Sequence, residues 1–134
     1  MGKYVLDACA LIANLKKEEG WDVVEDIVYG KNEILLHSVN LLEIYYDMIK
    51  TFDETRARNT LDEILASPIR IIYNADLSLI KAAGYFKANY RISLGDSFVL
   101  AVAKLNLADI VTADRHEFSV VENKESGLNF HWIR

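Results

Sequence analysis

Residues 3–17 read KYVLDACALIANLKK, and this short stretch indicates the class of fold. Its first part, Lys3–Leu6, lacks polar alternation, which is typical of a strand buried on both faces. Asp7 follows directly, and Ala8–Lys17 then places apolar residues at helical spacing. A strand that passes at once into a helix is typical of proteins in which parallel strands alternate with helices. We therefore predict an α/β fold with a parallel sheet.

The alternation of strand and helix continues along the chain. Pro68, the single proline, follows one helical segment and marks the start of the next strand. Short apolar strands of this kind form a central parallel sheet of about five strands with helices on both faces. The further strands are predicted at Glu33–His37, Ile69–Tyr73, Ala108–Thr112 and, at an edge of the sheet, Asn129–Ile133. The further helices are predicted at Trp21–Tyr29, Leu41–Thr51, Asp53–Ala66, Leu77–Tyr90 and Leu94–Asn106.

The composition fits a single domain spanning residues 1–134, of which 51% are hydrophobic. No apolar run is long enough to cross a bilayer, and the first residues lack a secretory signal, so we expect a cytoplasmic protein without membrane contact. The one cysteine, Cys9, excludes an internal disulfide and a multi-cysteine zinc site. The formal charge of −5 argues against nonspecific binding of nucleic acid, but metal-binding acids would account for part of it.

Four acidic residues stand where an apolar strand passes into a helix. Asp7, Glu43 and Asp114 follow strands, so they fall at the carboxyl edge of a parallel sheet, where ligands bind. Asp96 opens the helix before the fourth strand, and it joins the others only if that helix starts over the same edge. Converging carboxylates repel each other unless a cation lies among them, and oxygen ligands suit Mg²⁺ or Mn²⁺. The pattern predicts a divalent-metal site for phosphodiester hydrolysis.

Each of these acids also has a purely structural interpretation. Acids are favoured at helix N-termini, where a carboxylate accepts free backbone N–H groups. Asn40 and Glu43, for example, have the spacing of a capping arrangement. Ser, Thr and Asn cap as well as Asp does, however, so capping does not require an acid at all four helix starts. Asp109 lies at the start of a strand, hence at the opposite edge of the sheet, and is excluded from the site.

Four motifs connect the chain to a known family. Each contains one of the four acids, and together they span nearly the whole sequence. On these motifs the chain resembles the PIN-domain nucleases, and within them the VapC-type toxins of toxin–antitoxin pairs. One motif alone would be weak support, whereas all four in order form a fairly specific pattern. The motifs are Val5-Leu6-Asp7-Ala8-Cys9-Ala10-Leu11, Asn40-Leu41-Leu42-Glu43, Ser93-Leu94-Gly95-Asp96-Ser97 and Thr112-Ala113-Asp114-Arg115-His116-Glu117-Phe118.

The resemblance implies a specific fold, activity and set of partners. It implies a three-layer domain with a five-stranded parallel sheet, bound Mg²⁺ or Mn²⁺, an RNA substrate, homodimerisation and a small antitoxin protein. The chain departs from the family at two positions. Cys9 stands where Ser or Thr is usual, and a thiol is a weaker hydrogen-bond donor than a hydroxyl. Gly95 stands where alanine is frequent, a difference from which we expect little effect.

The four acids are the predicted catalytic and metal-binding residues. Asp7 and Asp96 are expected to be the central metal ligands, with Asp114 completing the site. Glu43 is expected to bind the metal directly or through water, or to orient the attacking hydroxide. If Asp7 and Asp96 are central, their replacement by Asn removes cleavage and leaves the fold intact.

Further residues are predicted to support the site or to contact the substrate. Cys9 lies in the first motif, where it would order the metal or its water. Thr112 either donates a hydrogen bond to a carboxylate or phosphate or merely ends its strand. Basic residues near the motif ends are predicted to contact substrate phosphates, and each can equally be interpreted as solvated surface: Lys87, Arg91, Arg115 and His116.

Two other functions compete with a metal-dependent ribonuclease. A PIN-like scaffold that binds RNA or a protein without cutting is favoured by Cys9, whereas the presence of all four acids favours the enzyme. A receiver-like phosphoacceptor domain needs paired acids after its first strand, and Asp7 stands alone. Cys9 as a nucleophile is disfavoured, because no histidine has an evident pairing position and nearby acids would raise its pKa. Tyr45 and Tyr46 cannot both face inward on one helix, so one of them is expected in an interface.

Overall fold

The structure, a computed structural model, describes residues 1–134 as five strands and seven helices. The strands are β1 (Lys3–Leu6), β2 (Glu33–His37), β3 (Arg70–Ile72), β4 (Asp109–Thr112) and β5 (Phe130–Trp132). The helices are α1 (Ala8–Lys16), α2 (Trp21–Tyr29), α3 (Ser38–Thr51), α4 (Glu54–Ala66), α5 (Leu77–Asn89), α6 (Leu94–Asn106) and α7 (Arg115–Lys124). The strand order is β3-β2-β1-β4-β5 and all neighbouring pairs are parallel, which confirms the predicted sheet and the edge position of the last strand.

Alternate residues of each central strand enter two separate cores, one on each face of the sheet. In β1, Val5 packs on one face and Leu6 on the other, and both are fully buried. Their register partners continue the pattern, since Val5 lies beside Leu35 of β2 and Leu6 beside Val111 of β4. Because both faces are covered, these strands show no polar alternation, which is the property that identified them in the sequence.

The helices form one layer on each face of the sheet. Helices α1 to α4 pack on the first face, and α5 to α7 pack on the second. This arrangement confirms the three-layer α/β fold. None of the seven helices is both long and apolar enough to cross a membrane. Representative core residues are Leu11, Val24, Ile44 and Ile64 on the first face and Phe86, Leu100 and Phe118 on the second.

The order in which strands are added reverses between β1 and β4. From β1 the chain adds β2 and β3 on one side, and it then returns to add β4 and β5 on the other. Such a reversal opens a crevice beyond the carboxyl ends of the two central strands, where parallel sheets bind ligands. Asp7 directly follows β1, and Asp114 follows β4 after one intervening residue. Asp109 begins β4, so it lies at the opposite edge, as predicted.

Helix α3 begins earlier than the sequence indicated. Its first residue is Ser38 rather than Leu41, and its N-cap is His37, whose Nδ1 accepts the backbone N–H of Val39 at 3.0 Å. A histidine is not among the preferred capping residues, which is why this start was not recognised. Asn40 therefore lies inside the helix and does not cap it.

Helix α7, Arg115–Lys124, is not among the helices predicted from the sequence. Asp114 caps the helix, and only Phe118 and Val121 within it are buried. Two buried positions among ten residues give a weak apolar period, which is the physical reason that the helix was missed.

Candidate active site

The carboxylate of Asp7 is buried at the end of β1, with 2% of the residue exposed. Its Oδ1 accepts the backbone N–H of Ala10 at 2.7 Å, so Asp7 caps α1, and its Oδ2 accepts the Thr112 hydroxyl at 2.5 Å. Burial raises the pKa of Asp7 to about 7, against the lowering effect of these two hydrogen bonds. The charges of Asp96 and Asp114 raise the pKa further. Asp7 therefore caps a helix and also belongs to a group of interacting carboxylates.

Thr112 connects the first acid to the last. Its hydroxyl, fully buried at the end of β4, donates to Asp7 and accepts the backbone N–H of Asp114 at 2.9 Å. Asp114 in turn accepts the N–H of Glu117 at 3.0 Å as the N-cap of α7. Of the interpretations offered for Thr112, the structure shows the hydrogen bond with a carboxylate.

Replacing Thr112 by valine tests how much the two hydrogen bonds of its hydroxyl contribute to the stability of the fold. Valine has nearly the shape of threonine but no hydroxyl, so Asp7 loses a donor and the Asp114 N–H loses its acceptor. We expect the free energy of unfolding to fall by about 1–3 kcal/mol, the usual cost of leaving a buried polar group unpaired. Urea denaturation at pH 8 measures it, with Thr60→Val, at a buried position of α4, as the matched control. A Thr112→Val protein as stable as wild type would contradict the expectation.

Asp96 reaches the same sheet edge from the first turn of α6. Ser93 is the N-cap of that helix and accepts the Asp96 backbone N–H at 3.1 Å, so Asp96 itself is not needed as a cap. Burial raises the pKa of Asp96 to about 7, the charge of Asp114 adds to the rise, and the Ser93 side chain opposes it. Glu117 and Glu43 make smaller contributions in the raising direction. The start of α6 therefore lies beside the other acids, which is the condition that the sequence left open.

Glu43 enters the site from the second turn of α3, not from a helix start. Asn40, one turn earlier, donates from Nδ2 to Glu43 Oε1 at 2.9 Å and to the backbone oxygen of Gly95 at 3.1 Å. Burial raises the pKa of Glu43, and the hydrogen bond from Asn40 opposes the rise. The interpretation of Asn40 and Glu43 as a capping pair is wrong, because α3 already begins at Ser38.

An open cleft of about 400 Å³ lies over these acids. Glu43, Asp96 and Asp114 line it together with Cys9, and Asp7 is buried behind this lining. The structure thus brings together all four acids that the sequence singled out. Three further acids that sequence reasoning did not place in the site also line the cleft: Glu18, Asp47 and Glu117.

Two of these three additional acids could have been found from the sequence. Asp47 lies one helical turn after Glu43, and its Oδ2 is 2.9 Å from the ammonium group of Lys16, which neutralises it. Glu117 lies three residues after Asp114, and its buried Oε2 has no hydrogen-bond partner. Helical spacing from a predicted site residue was therefore the usable signal for both. Glu18 is exposed and gave no comparable signal.

The chemistry of the donor set fits a hard divalent cation. Asp7 and Asp96 have pKa values raised to about 7 because their charges are buried beside other acids, and neither forms a salt bridge. The unpartnered Oε2 of Glu117 adds a further buried acceptor. A divalent cation would compensate the buried carboxylate charges and give the Glu117 oxygen a partner. Carboxylate oxygens are also the ligands that Mg²⁺ and Mn²⁺ prefer. The acids are not drawn together as a finished ligand set, however, since no group of three is positioned to hold one ion.

The thiol of Cys9 is held in its neutral form. Burial raises its pKa to about 11, and the charges of Asp7 and Asp114 add to the rise. Because the thiolate is the reactive form, this environment disfavours nucleophilic attack by Cys9 at neutral pH. The structure agrees on this point with the argument from sequence. It also places Cys9 in the cleft, where its predicted supporting role would be exercised.

The four basic residues predicted to contact substrate do not line the cleft. The guanidinium of Arg115 stacks 4.5 Å from the Trp132 ring, and its Nε donates to the backbone oxygen of Arg134 at 3.0 Å, so α7 directs it toward β5. Lys87 lies in an apolar groove between α5 and α6. Arg91 and His116 are exposed on the surface. The cleft wall is therefore acidic, without a basic strip of its own.

A comparison with family profiles bears on this arrangement. The profile of the PIN domain matches residues 4–124, a span that contains all four predicted acids. The chain belongs to the PIN domain family. The resemblance drawn from the four motifs is thereby confirmed. A comparison with curated protein sequences gave no match.

Solved structures share the fold of this PIN domain. DNA-bound VapBC from Salmonella typhimurium matches with a TM-score of 0.75 and 16% identity over 100% of both chains. VapBC2 from Rickettsia felis, bound to a DNA fragment from its promoter, matches with a TM-score of 0.73 and 18% identity over 96% of this chain and 97% of that one. VapC20 from Mycobacterium tuberculosis, described as a Sarcin-Ricin loop cleaving toxin, matches with a TM-score of 0.71 and 12% identity over 88% and 94%. At these identities the likeness shows the fold alone.

Proposed function

We propose that this PIN-domain protein is a divalent-metal-dependent endoribonuclease that hydrolyses RNA phosphodiester bonds. The observation that carries the proposal is the convergence of Asp7, Asp96 and Asp114 at the strand-order reversal. Two of these three carboxyl groups have pKa values raised to about 7. A stable fold does not need several uncompensated buried acids at one place, whereas a metal-dependent hydrolase does.

The proposed metal ligands are Asp7, Asp96 and Asp114, with Glu43 binding the ion directly or through water. Bound Mg²⁺ or Mn²⁺ supplies positive charge for the phosphate and a more acidic water molecule. The chain supplies the positions of the ligands. Thr112 and the Ala10 N–H fix both oxygens of Asp7. The side chain of Glu43 lines the cleft, where it would orient the attacking water.

The acidic cleft also explains why the protein would need the ion before substrate binds. The site offers phosphate groups no basic side chain, since six acids line or back it without a basic partner and the lysine beside Asp47 is already paired with that acid. A bound cation reverses the sign of the local charge. The choice of RNA as substrate rests on the family resemblance, and the description of VapC20 as a Sarcin-Ricin loop cleaving toxin is consistent with it. The six acids are Asp7, Glu18, Glu43, Asp96, Asp114 and Glu117.

A cleavage assay tests this function. Purified protein and a mixture of end-labelled single-stranded RNAs are incubated with Mn²⁺, with Mg²⁺ and with EDTA. We expect endonucleolytic products with either ion and none with EDTA. Binding of RNA without any cleavage in all three conditions would contradict the enzyme and support the alternative, a PIN-like scaffold that holds RNA or a protein.

We further propose that the protein is the toxin of a VapBC-type pair, with a small antitoxin as its partner. A groove of about 280 Å³ between α1, α2 and α4 lies away from the acids and has an apolar floor formed by Leu11, Val28 and Ile64. Such a groove supports binding of an apolar segment from a partner protein. The proposal is tested by sequencing the flanking DNA for a small reading frame and co-expressing any product with this protein, and the absence of such a frame or failure of the two proteins to co-purify would contradict it.

We also propose, from the family resemblance, that the protein forms a homodimer, and the surface of α3 supports this. Tyr45 packs against the core, whereas Tyr46 is 49% exposed, which confirms that only one of the two tyrosines faces inward. Leu42 and Ile49 extend the exposed apolar stripe of α3 on either side of Tyr46. Light scattering measures the mass in solution, and a monomer at all concentrations would contradict the dimer. The single-domain organisation of residues 1–134 and the cytoplasmic location stay predictions.

A further inference from the structure

We propose that Asn40 is a positioning residue for Glu43. It holds the Glu43 carboxylate against the first turn of α6. Because Gly95 has no Cβ atom, that carboxylate can lie directly beside the backbone of this turn. The inference rests on the proposed nuclease function, in which Glu43 acts at the cleft. It assigns a role to a residue that the sequence suggested only as a helix cap.

The orientation of the Asn40 amide follows from its partners. The side chain is 1% exposed, and its Nδ2 donates to two acceptors, Glu43 Oε1 at 2.9 Å and the Gly95 backbone oxygen at 3.1 Å. Since the Gly95 backbone oxygen can only accept, the nitrogen and not the oxygen of the Asn40 amide must face it. The second bond joins residues 55 positions apart in sequence. Asn40 thereby fixes Glu43 relative to Asp96, the neighbour of Gly95.

Stability does not explain an asparagine at this position. Asparagine is a weak helix former, and the buried Oδ1 of Asn40 has no hydrogen-bond partner. Both features oppose folding, because a buried acceptor without a donor loses its hydrogen bonds to water. Local features that oppose folding are most often found at functional sites. The hydrogen bonds that the Asn40 side chain donates go to Glu43 and to the first turn of α6, beside Asp96.

Gly95 leaves the space that the Glu43 carboxylate occupies. A Cβ atom at this position would lie 2.1 Å from Glu43 Oε1 and 2.6 Å from its carboxyl carbon. Any side chain there must displace the Glu43 carboxylate from its hydrogen bond with Asn40. The sequence suggested that glycine in place of alanine has little effect, whereas the proposal predicts that an alanine here moves the Glu43 carboxylate. Gly95 and Asn40 together determine where Glu43 stands.

A double-mutant cycle on cleavage tests the role of Asn40. Asn40→Ala is expected to lower kcat/KM by about 10- to 100-fold, the usual effect of removing a residue that orients a metal-site ligand. In the Glu43→Gln background the same change should add no further loss, because Asn40 acts through the carboxylate of Glu43. An equal loss in both backgrounds would overturn the inference. A wild-type protein that does not cleave RNA would instead refute the proposed function.

A second cycle needs no catalytic activity. Urea midpoints are measured on metal-free wild type, Asn40→Ala, Glu43→Ala and the double variant, because alanine, unlike glutamine, leaves Asn40 no acceptor at position 43. If the two side chains are bonded, the shift of the double variant differs from the sum of the single shifts. Additive shifts would overturn the contact whether or not the protein is a nuclease.

A matched pair of glycine variants tests the room beside Glu43. Gly95→Ala is expected to lower kcat/KM to about the level of Asn40→Ala, a 10- to 100-fold loss. Gly84→Ala is the control, because Gly84 lies within α5 and an added Cβ there meets nothing within 4 Å. The control should cleave at the wild-type rate and raise the urea midpoint, since alanine favours helix. Wild-type cleavage by Gly95→Ala would overturn this part of the inference.

Discussion

Asp7→Asn is expected to lower kcat/KM for metal-dependent RNA cleavage by at least about 100- to 1,000-fold, the scale for losing one preorganised electrostatic group. Asparagine has the size of aspartate and still offers Oδ1 to the Ala10 N–H, so the cap of α1 survives. It removes the negative charge at the strand-order reversal and, with Nδ2 in place of Oδ2, the acceptor of the Thr112 hydroxyl. Single-turnover cleavage of labelled RNA in Mn²⁺ measures the change.

Asp109→Asn is the matched control for this experiment. Asp109 begins β4, beside Tyr4 of β1, and therefore lies at the opposite edge of the sheet. It should cleave at the wild-type rate. Asp7→Asn should also remain folded at pH 8, because it removes a buried charge without a salt-bridge partner. Cleavage by Asp7→Asn at the wild-type rate would show that Asp7 is not part of the site.

Metal-free protein is expected to lose stability as the pH rises from about 4 to above 7. In the unfolded chain Asp7 loses its proton near the ordinary pKa of 3.8, whereas in the folded protein it keeps it until about 7. Between these values the folded state binds more protons, so its free energy of unfolding falls with rising pH. For Asp7 the loss above pH 7 is about 4 kcal/mol. Asp96, with its pKa also raised to about 7, acts in the same direction.

Urea denaturation of wild type and Asp7→Asn between pH 4 and pH 8 measures this effect. The Asp7→Asn protein should show a flatter profile, since one of the two carboxyl groups with a pKa raised to about 7 no longer ionises. For the wild-type protein at pH 8, Mn²⁺ at a hundred times its dissociation constant should raise the free energy of unfolding by about 2.7 kcal/mol. At pH 5 the increase should be much smaller, because the carboxyl groups that would bind the ion are protonated. Stability that rises with pH across this window would contradict the burial of these charges.

Most of the fold could be predicted from sequence because the strands are buried on both faces. Short continuous apolar segments such as Ile34–Leu36, separated by longer segments of helical period, are typical of strands in a covered parallel sheet. The predicted helices differ from the observed ones where the capping residue or the apolar period is atypical. His37 caps α3 although histidine is a rare cap, and α7 buries only Phe118 and Val121, so its period was weak.

The candidate site was predictable only in part. Acids that follow strands, such as Asp7 and Asp114, are placed by the topology of a parallel sheet, so their position could be inferred. Asn40, Asp47 and Glu117 depend on how helices are rotated and where they begin, which a single sequence does not specify. The direction of Arg115 toward Trp132 likewise depends on a helix that the sequence did not reveal.

The central claim is that the acids at the strand-order reversal hold a divalent cation. A crystal grown with Mn²⁺ and measured at an anomalous wavelength tests it directly. We expect an anomalous peak in the cleft at about 2.0–2.3 Å from carboxylate oxygens of Asp7, Asp96 and Asp114, the range for hard-cation ligands. A cleft without any peak at millimolar Mn²⁺, or a peak bound only by acids elsewhere on the surface, would contradict the account.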